Sequence, residues 1–141
     1  QIAHFLLKKV LGTTFPNPPV VSLLVESDKS FKKNKIINFG ITQFGGRPHA
    51  EAIAVKGVKF DDNLKYTLYS TLEPCPMCAG AILHSRIKAC VYAAKDHKWG
   101  AHASKLNLFE KGLFNHNTEM IYIELKESGA LLKDFFKSIR K

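Results

Sequence analysis

At 141 residues the chain is long enough for one domain with a real core. Its apolar fraction of 45% is that of a soluble globule, no apolar run approaches the ~20 residues of a membrane-spanning helix, and no cleavable signal pattern opens it. Net charge is +9, from 21 Lys plus Arg against 12 Asp plus Glu, which favours phosphate-bearing partners such as RNA, DNA or a phosphorylated small substrate.

Residues 1–11 place Ile2, Phe5, Leu6, Val10 and Leu11 at helical spacing, and Gly12 is a stop. Residues 13–19 form a turn-rich link. The apolar run 20–25 suits a buried strand, and the polar, basic stretch 26–35 is a hairpin connection into a second strand over 36–41. Lys32, Lys33 and Lys35 on that connection are either a solvated tip or a nucleic-acid contact. Residues 44–48 make a loop leading to His49, with a helix from Ala50 to about residue 58. A strand over 66–70, a helix over 76–85 and a strand over 87–94 follow, then a loop or short helix through Leu108. A strand over 119–124 and a helix over 128–140 close the chain. No repeat, low-complexity tract or linker interrupts this order, so a single domain over 1–141 is expected. The succession of elements predicts an α/β fold, a mixed sheet with helices on both faces. Right-handed crossovers place the starts of the second and third helices near strand ends, where such sheets hold ligands.

The chemistry is concentrated in two short motifs. His49-Ala50-Glu51 follows Pro48, and Pro74-Cys75-Pro76-Met77-Cys78 follows a strand. Cys-x-x-Cys at a helix's first turn brings two sulfurs to one side, and the helix N-terminus favours thiolate. His49, Cys75 and Cys78 make three zinc ligands, and a catalytic zinc leaves the fourth position to water. Glu51 stands beside that position as a proton carrier. Taken singly, the Cys-x-x-Cys is also a redox pair, a structural zinc half-site or a coincidence. His84, His97, His102 and His116 are available as a fourth structural ligand, but none has finger spacing to the cysteine pair. Three cysteines do not suggest a disulfide framework and fit a reducing, cytoplasmic location. Cys90 is expected as a small buried hydrophobe. The chain begins at Gln1 rather than methionine, which fits removal of N-terminal sequence.

The H-x-E…P-C-x-x-C pattern resembles the zinc-dependent cytidine deaminase superfamily. That resemblance implies a three-layer α/β/α sandwich around a mixed five-stranded sheet. It also implies one catalytic Zn2+, a homodimer, and hydrolytic removal of ammonia from a nucleobase, nucleoside or nucleotide. In the second half, Thr71-Leu72-Glu73-Pro74-Cys75-Pro76-Met77-Cys78-Ala79-Gly80-Ala81-Ile82, His84-Ser85-Arg86-Ile87, Lys95-Asp96 and Asp134-Phe135-Phe136 resemble bacterial tRNA adenosine deaminases. The first half, through Phe15-Pro16-Asn17-Pro18-Pro19-Val20 and Gly45-Gly46-Arg47-Pro48-His49-Ala50-Glu51, resembles the pyrimidine deaminase domain of riboflavin biosynthesis. That second family usually has a longer insert between its cysteines and a reductase domain afterwards, and neither is present here.

By this resemblance zinc holds hydroxide for attack on the amine-bearing ring carbon, and Glu51 accepts and returns the protons. The backbone at Ala50 and at Pro74, beside Cys75, orients the base. Asn17 is a candidate hydrogen-bonding partner of base or sugar, or a plain Pro-Asn-Pro turn residue. Thr42 stands nearest the position where tRNA adenosine deaminases carry a base-holding asparagine. Phe44 is a stacking or a packing residue, and Asp96 a ribose contact or a turn aspartate. Phe135 and Phe136, among Lys133, Lys137, Arg140 and Lys141, form a candidate RNA edge. Trp99 and His102 are expected near the site mouth. The apolar face of residues 79–83 is the candidate dimer surface. Adenosine in tRNA is the favoured substrate, with a small riboflavin-pathway aminopyrimidine, guanine or cytosine as the alternative. A non-catalytic zinc-stabilised subunit is the alternative of another class, against which Glu51 argues.

Overall fold

The computed structural model describes residues 19–43 and 47–126. Five strands form one sheet: β1 (Val21–Ser27), β2 (Asn34–Ile41), β3 (Lys65–Ser70), β4 (Ala89–Tyr92) and β5 (Glu119–Tyr122), in the order β2-β1-β3-β4-β5. β1 pairs antiparallel with both β2 and β3, while β3–β4 and β4–β5 are parallel. Helix α1 (Ala50–Val55) joins β2 to β3, and α2 (Pro76–His84) makes the crossover from β3 to β4. The mixed five-stranded sheet is the one expected from the order of elements. The helices predicted over 1–11 and 128–140 lie outside the described residues, as do Asn17, Phe44, Phe135 and Phe136.

β1 is an interior strand, which is why its sequence is nearly continuous in apolar residues. Leu24 pairs with Leu68, and Leu68 pairs with Cys90. All three are fully buried, and Ala54 of α1 with Ala79 and Ile82 of α2 join them in one cluster. Cys90 is thus the small core residue anticipated. β2 is an edge strand, and its exposed first residues reflect that. The turn before it is organised by Asp28, whose Oδ1 accepts the N–H groups of Lys32 and Lys33. Lys32, Lys33 and Lys35 are solvent-exposed at this tip.

Two residues of β2 seat α1. A Cβ on Gly40 would fall 1.9 Å from the Ala50 carbonyl oxygen and 2.9 Å from the Ala54 nitrogen, so only glycine lets the helix start lie this close. At the other end, Asn38 Nδ2 donates to the carbonyls of Ala54 at 2.8 Å and Ile53 at 3.4 Å, satisfying groups that a helix C-terminus leaves unpaired. α1 is shorter than expected because Lys56 is already extended and Gly57 takes φ of +72°. Residues 96–108 form turns rather than a short helix. Of the face proposed for a second copy, Ala79 and Ile82 are buried in the chain's own core, while Gly80, Ala81 and Leu83 are half-buried. No helix among the described residues is long and apolar enough to cross a membrane.

Candidate active site

The two motifs meet because each opens a helix lying on the same face of the sheet. His49 is the N-cap of α1, with extended backbone, and Glu51 lies in its first turn. Cys75 is the N-cap of α2, Pro76 occupies the first helical position, and Cys78 completes the first turn. His49 Nδ1 lies 3.5 Å from Cys75 Sγ and 3.5 Å from Cys78 Sγ, and the three atoms fall within 4.8 Å of one another. A tetrahedral zinc with Zn–S of about 2.3 Å and Zn–N of about 2.0–2.1 Å separates a sulfur from a nitrogen ligand by about 3.5 Å. The donor set and its spacing therefore fit one zinc ion. The Cys78 hydrogen bond holds the Cys75 thiol down at about 5, against burial, and the same bond with burial pushes Cys78 up. Ligation by both sulfurs requires Cys78 to release its proton, as metal binding to thiols generally does.

Glu51 is outside the ligand group but in contact with it. It is 4% exposed, and burial pushes its carboxyl up to about 7, opposed by a hydrogen bond with Cys78. Ser22 Oγ donates to Glu51 Oε1 at 3.4 Å and also lies 3.2 Å from Ser70 Oγ. Ser22 was not singled out from sequence. The signal was there: it is the one polar residue inside the apolar run of β1.

A cavity of about 470 Å³ opens over these groups, within the usual size of small-molecule sites. Val20, Thr42, Leu72 and Met77 line it beside His49, Glu51 and Cys75, with Arg47, Glu73, Asp96 and Trp99 completing the wall. Thr42 is on the wall, but its hydroxyl accepts the Val20 N–H at 3.0 Å and faces the Val20 carbonyl at 3.3 Å. Asp96 is also on the wall, and its Oδ1 accepts the N–H groups of Lys98 and Trp99. Ala50 and Pro74 are buried and do not line the cavity, and the Pro74 carbonyl accepts the Ala101 N–H at 2.9 Å. Trp99 stands at the mouth, 66% exposed. His102 does not. Its Nδ1 lies 2.7 Å from the Tyr92 hydroxyl and its ring packs edge-on against Tyr92 and Phe109.

Glu73 was quoted from sequence only as part of a motif, and its position is distinctive. It is 2% exposed, and burial alone would raise its pKa. Hydrogen bonds from the Ser104 hydroxyl and the N–H groups of Ala103, His102 and Asp96 outweigh burial and hold the carboxyl below its usual value. The sequence signal was an acidic residue directly before Pro74-Cys75, with Gly100 on the loop it binds.

Residues 1–94 match the family described as the cytidine and deoxycytidylate deaminase zinc-binding region, and that span includes His49, Glu51, Cys75 and Cys78. The chain is 44% identical over 109 residues to a tRNA-specific adenosine deaminase of Haemophilus influenzae, covering 74% of this chain but only 63% of that protein. It is 38% identical over 127 residues to the tRNA-specific adenosine deaminase of Rickettsia bellii, covering 86% of this chain and 88% of the relative. Among solved structures it is similar to a diaminohydroxyphosphoribosylaminopyrimidine deaminase/5-amino-6-(5-phosphoribosylamino)uracil reductase of Thermotoga maritima. The identity there is 32% and the TM-score 0.71, over 99% of this chain and 39% of that one. Both resemblances drawn from the motifs are thus met by relatives, and the fold is cytidine-deaminase-like. The chain belongs to the cytidine and deoxycytidylate deaminase zinc-binding family.

Proposed function

We propose that this protein is a zinc-dependent hydrolytic deaminase whose substrate is adenosine presented by tRNA, converted to inosine with release of ammonia. The observation that carries the reaction class is the buried Glu51 carboxylate beside the His49, Cys75 and Cys78 donors, with Glu51, His49 and Cys75 lining one cavity. A structural metal site has no use for that carboxylate.

His49, Cys75 and Cys78 hold the metal. Zinc, when bound, supplies Lewis-acid chemistry that draws the pKa of a water ligand towards neutrality. Glu51 takes a proton from the attacking water at one carboxylate oxygen while Ser22 donates to Oε1. It gives that proton to the ring nitrogen, then takes the second proton from the hydroxyl added to the ring carbon and passes it to the departing amino group, so that one water is consumed and ammonia leaves. Leu72 and Val20 provide apolar wall for a ring. The backbone N–H at Ala50 orients the base, Thr42 shapes the pocket and Asp96 faces the sugar, while the Pro74 carbonyl is taken by the Ala101 N–H and serves the loop instead. Asn17 and Phe44 are further proposed substrate contacts.

The tRNA reading is supported by the two named relatives above, by the +9 charge and by Arg47 and the exposed Trp99 at the mouth. An extruded base in a single-stranded loop suits an aromatic and cationic rim. A second copy of this chain and a cytoplasmic location are proposed with it. The small aminopyrimidine remains a second reading, favoured by the likeness to the Thermotoga maritima enzyme over 99% of this chain. Ammonia release by zinc-loaded protein decides between them. An adenosine-containing anticodon stem-loop is assayed beside guanine, cytosine, cytidine, adenosine and the riboflavin-pathway pyrimidine. Turnover of the stem-loop alone, weakening steeply with salt, supports the tRNA reading. Turnover of the pyrimidine alone replaces it.

A further inference from the structure

Part of the cavity wall, Asp96 and Trp99, comes from a loop, residues 96–104, without helix or strand hydrogen bonding of its own. Backbone N–H groups in such a loop must find acceptors elsewhere. Asp96 serves Lys98, Trp99 and Gly100, the Pro74 carbonyl serves Ala101, and one buried side chain serves Asp96, His102, Ala103 and Ser104. Glu73 Oε2 accepts the N–H groups of His102 at 3.0 Å, Ala103 at 2.9 Å and Ser104 at 3.2 Å. Glu73 Oε1 accepts the Asp96 N–H at 3.2 Å and the Ser104 hydroxyl. An ionised carboxylate is an acceptor only, with about four lone-pair sites, so these five donors saturate it.

The loop is shaped to sit on that carboxylate. A Cβ on Gly100 would lie 2.3 Å from Glu73 Oε2 and 2.6 Å from the Asp96 carbonyl oxygen. Glycine is therefore the residue that lets the loop pass over the acid. Beside it, the Ala101 N–H donates to the Pro74 carbonyl at 2.9 Å, and the Glu73 N–H donates to the Ala94 carbonyl at 2.8 Å. Glu73 and Pro74 thus join the loop to the metal donor Cys75 that follows them in the chain.

We propose that Glu73 is a positioning residue: by gathering the N–H groups of Asp96, His102, Ala103 and Ser104 it fixes the 96–104 loop as the outer wall of the pocket. The loop carries Asp96 and Trp99, two of the residues that line the cavity, so Glu73, whose carboxylate oxygens are taken up by loop donors, sets where they stand. Its influence falls on substrate binding rather than on proton transfer, because Glu51 is supported separately, by Ser22.

Glu73→Gln is the direct perturbation. An amide keeps one acceptor oxygen, which can serve the three N–H groups at 102–104. Its NH2 then meets the Asp96 N–H, donor against donor, and the Asp96 end of the loop comes free. Trp99 is the protein's single tryptophan and lies on this loop, so nanosecond fluorescence anisotropy of the full chain reports the loop directly. In E73Q a fast local decay should appear that the wild-type protein lacks, with zinc content and far-UV circular dichroism unchanged. The kinetic arm rests on the deaminase reading: KM for the preferred substrate should rise about tenfold, the size of one lost hydrogen bond to a charged group, while kcat stays within about threefold.

Ser104→Ala, which removes only the hydroxyl bond, should show the same changes at smaller amplitude and covers the case in which E73Q does not fold. Gly100→Ala pushes the loop from the opposite side and should not add to E73Q, since both act through one contact. An anisotropy decay and KM identical to wild type in E73Q, or in S104A if E73Q does not fold, would overturn the proposal. So would loss of zinc with a fall in kcat alone, which would assign Glu73 to the metal segment. A protein with no turnover on any substrate defeats the deaminase reading, and the anisotropy arm still decides the role of Glu73.

Discussion

Gly40→Ala is the sharpest test of how the fold assembles the site. The added methyl carbon would sit 1.9 Å from the Ala50 carbonyl oxygen, 2.9 Å from the Ala50 carbonyl carbon and 2.9 Å from the Ala54 nitrogen. All three are backbone atoms, so no flexible side chain can swing aside. Ordinary contact begins near 3.4 Å, and relief along the shortest contact therefore needs a shift of 3.4 − 1.9 = 1.5 Å. The start of α1 must move, and His49 and Glu51 ride on it. The cysteines stay behind on α2. A shift of that size spreads the 3.5 Å nitrogen–sulfur spacings well beyond the ~0.2 Å tolerance of a metal site. Overpacking of this kind costs about 3 kcal/mol, which lowers the melting temperature by about 10 °C for a chain of this length. Zinc affinity should fall at least about a hundredfold, the upper range for disturbed ligand support. Thermal unfolding by circular dichroism and zinc competition with a colorimetric chelator measure the two effects. Gly80→Ala in α2 is the control: a Cβ there meets nothing within 4 Å, and the change should be neutral or stabilise by up to about 1 kcal/mol. Wild-type melting and wild-type zinc affinity in G40A would refute the close seating of α1 on β2 and with it this account of the site.

Glu51→Gln should abolish ammonia release while zinc, measured by atomic absorption, stays at wild-type stoichiometry; retained activity would remove Glu51 from the proton-carrying role. Chelation by EDTA, or Cys78→Ala, should lower the melting temperature, because a ligand present at about a thousand times its Kd contributes about 4 kcal/mol to the folded state. A melting curve indifferent to EDTA would mean that the His49, Cys75 and Cys78 donors hold no metal that matters to folding. Tyr66→Phe leaves the Asp61 N–H, now 2.8 Å from the Tyr66 hydroxyl, without its acceptor, and breaks the 3.2 Å bond to Glu26. Urea denaturation should show a loss of about 1–3 kcal/mol, and an unchanged midpoint would show that water replaces both bonds.

The donor set was legible from sequence because its geometry is local within each motif. Two helix starts, each marked by proline and spanning three residues (His49–Glu51) or four (Cys75–Cys78), hold these groups whichever way they are brought together. Strand order was legible to the level of a mixed sheet, since β1 announces an interior strand by its apolar run and the crossover elements alternate with strands. Less legible was anything depending on contacts between distant segments. Ser22 passes unmarked within the apolar run 20–25, and only the register of β1 against β3 puts its hydroxyl between Ser70 and Glu51. Thr42 matched a family position by its place in the chain, yet its hydroxyl is engaged by Val20. His102 was expected at the mouth, and its ring faces Tyr92 instead.

The sequence by itself thus determined which atoms are available for metal binding and proton transfer, because spacing along a helix turn is set by covalent geometry and backbone hydrogen bonding. Tertiary structure alone decided how far apart they stand, which hydroxyls are already engaged, and which acid holds the pocket wall. Gly40 and Gly100 show why. Each is a single small residue whose meaning lies in what presses against it, the Ala50 carbonyl in one case and the Glu73 carboxylate in the other. Those neighbours lie 10 and 27 positions away in the chain, and close packing between such segments has no local sequence period to reveal it.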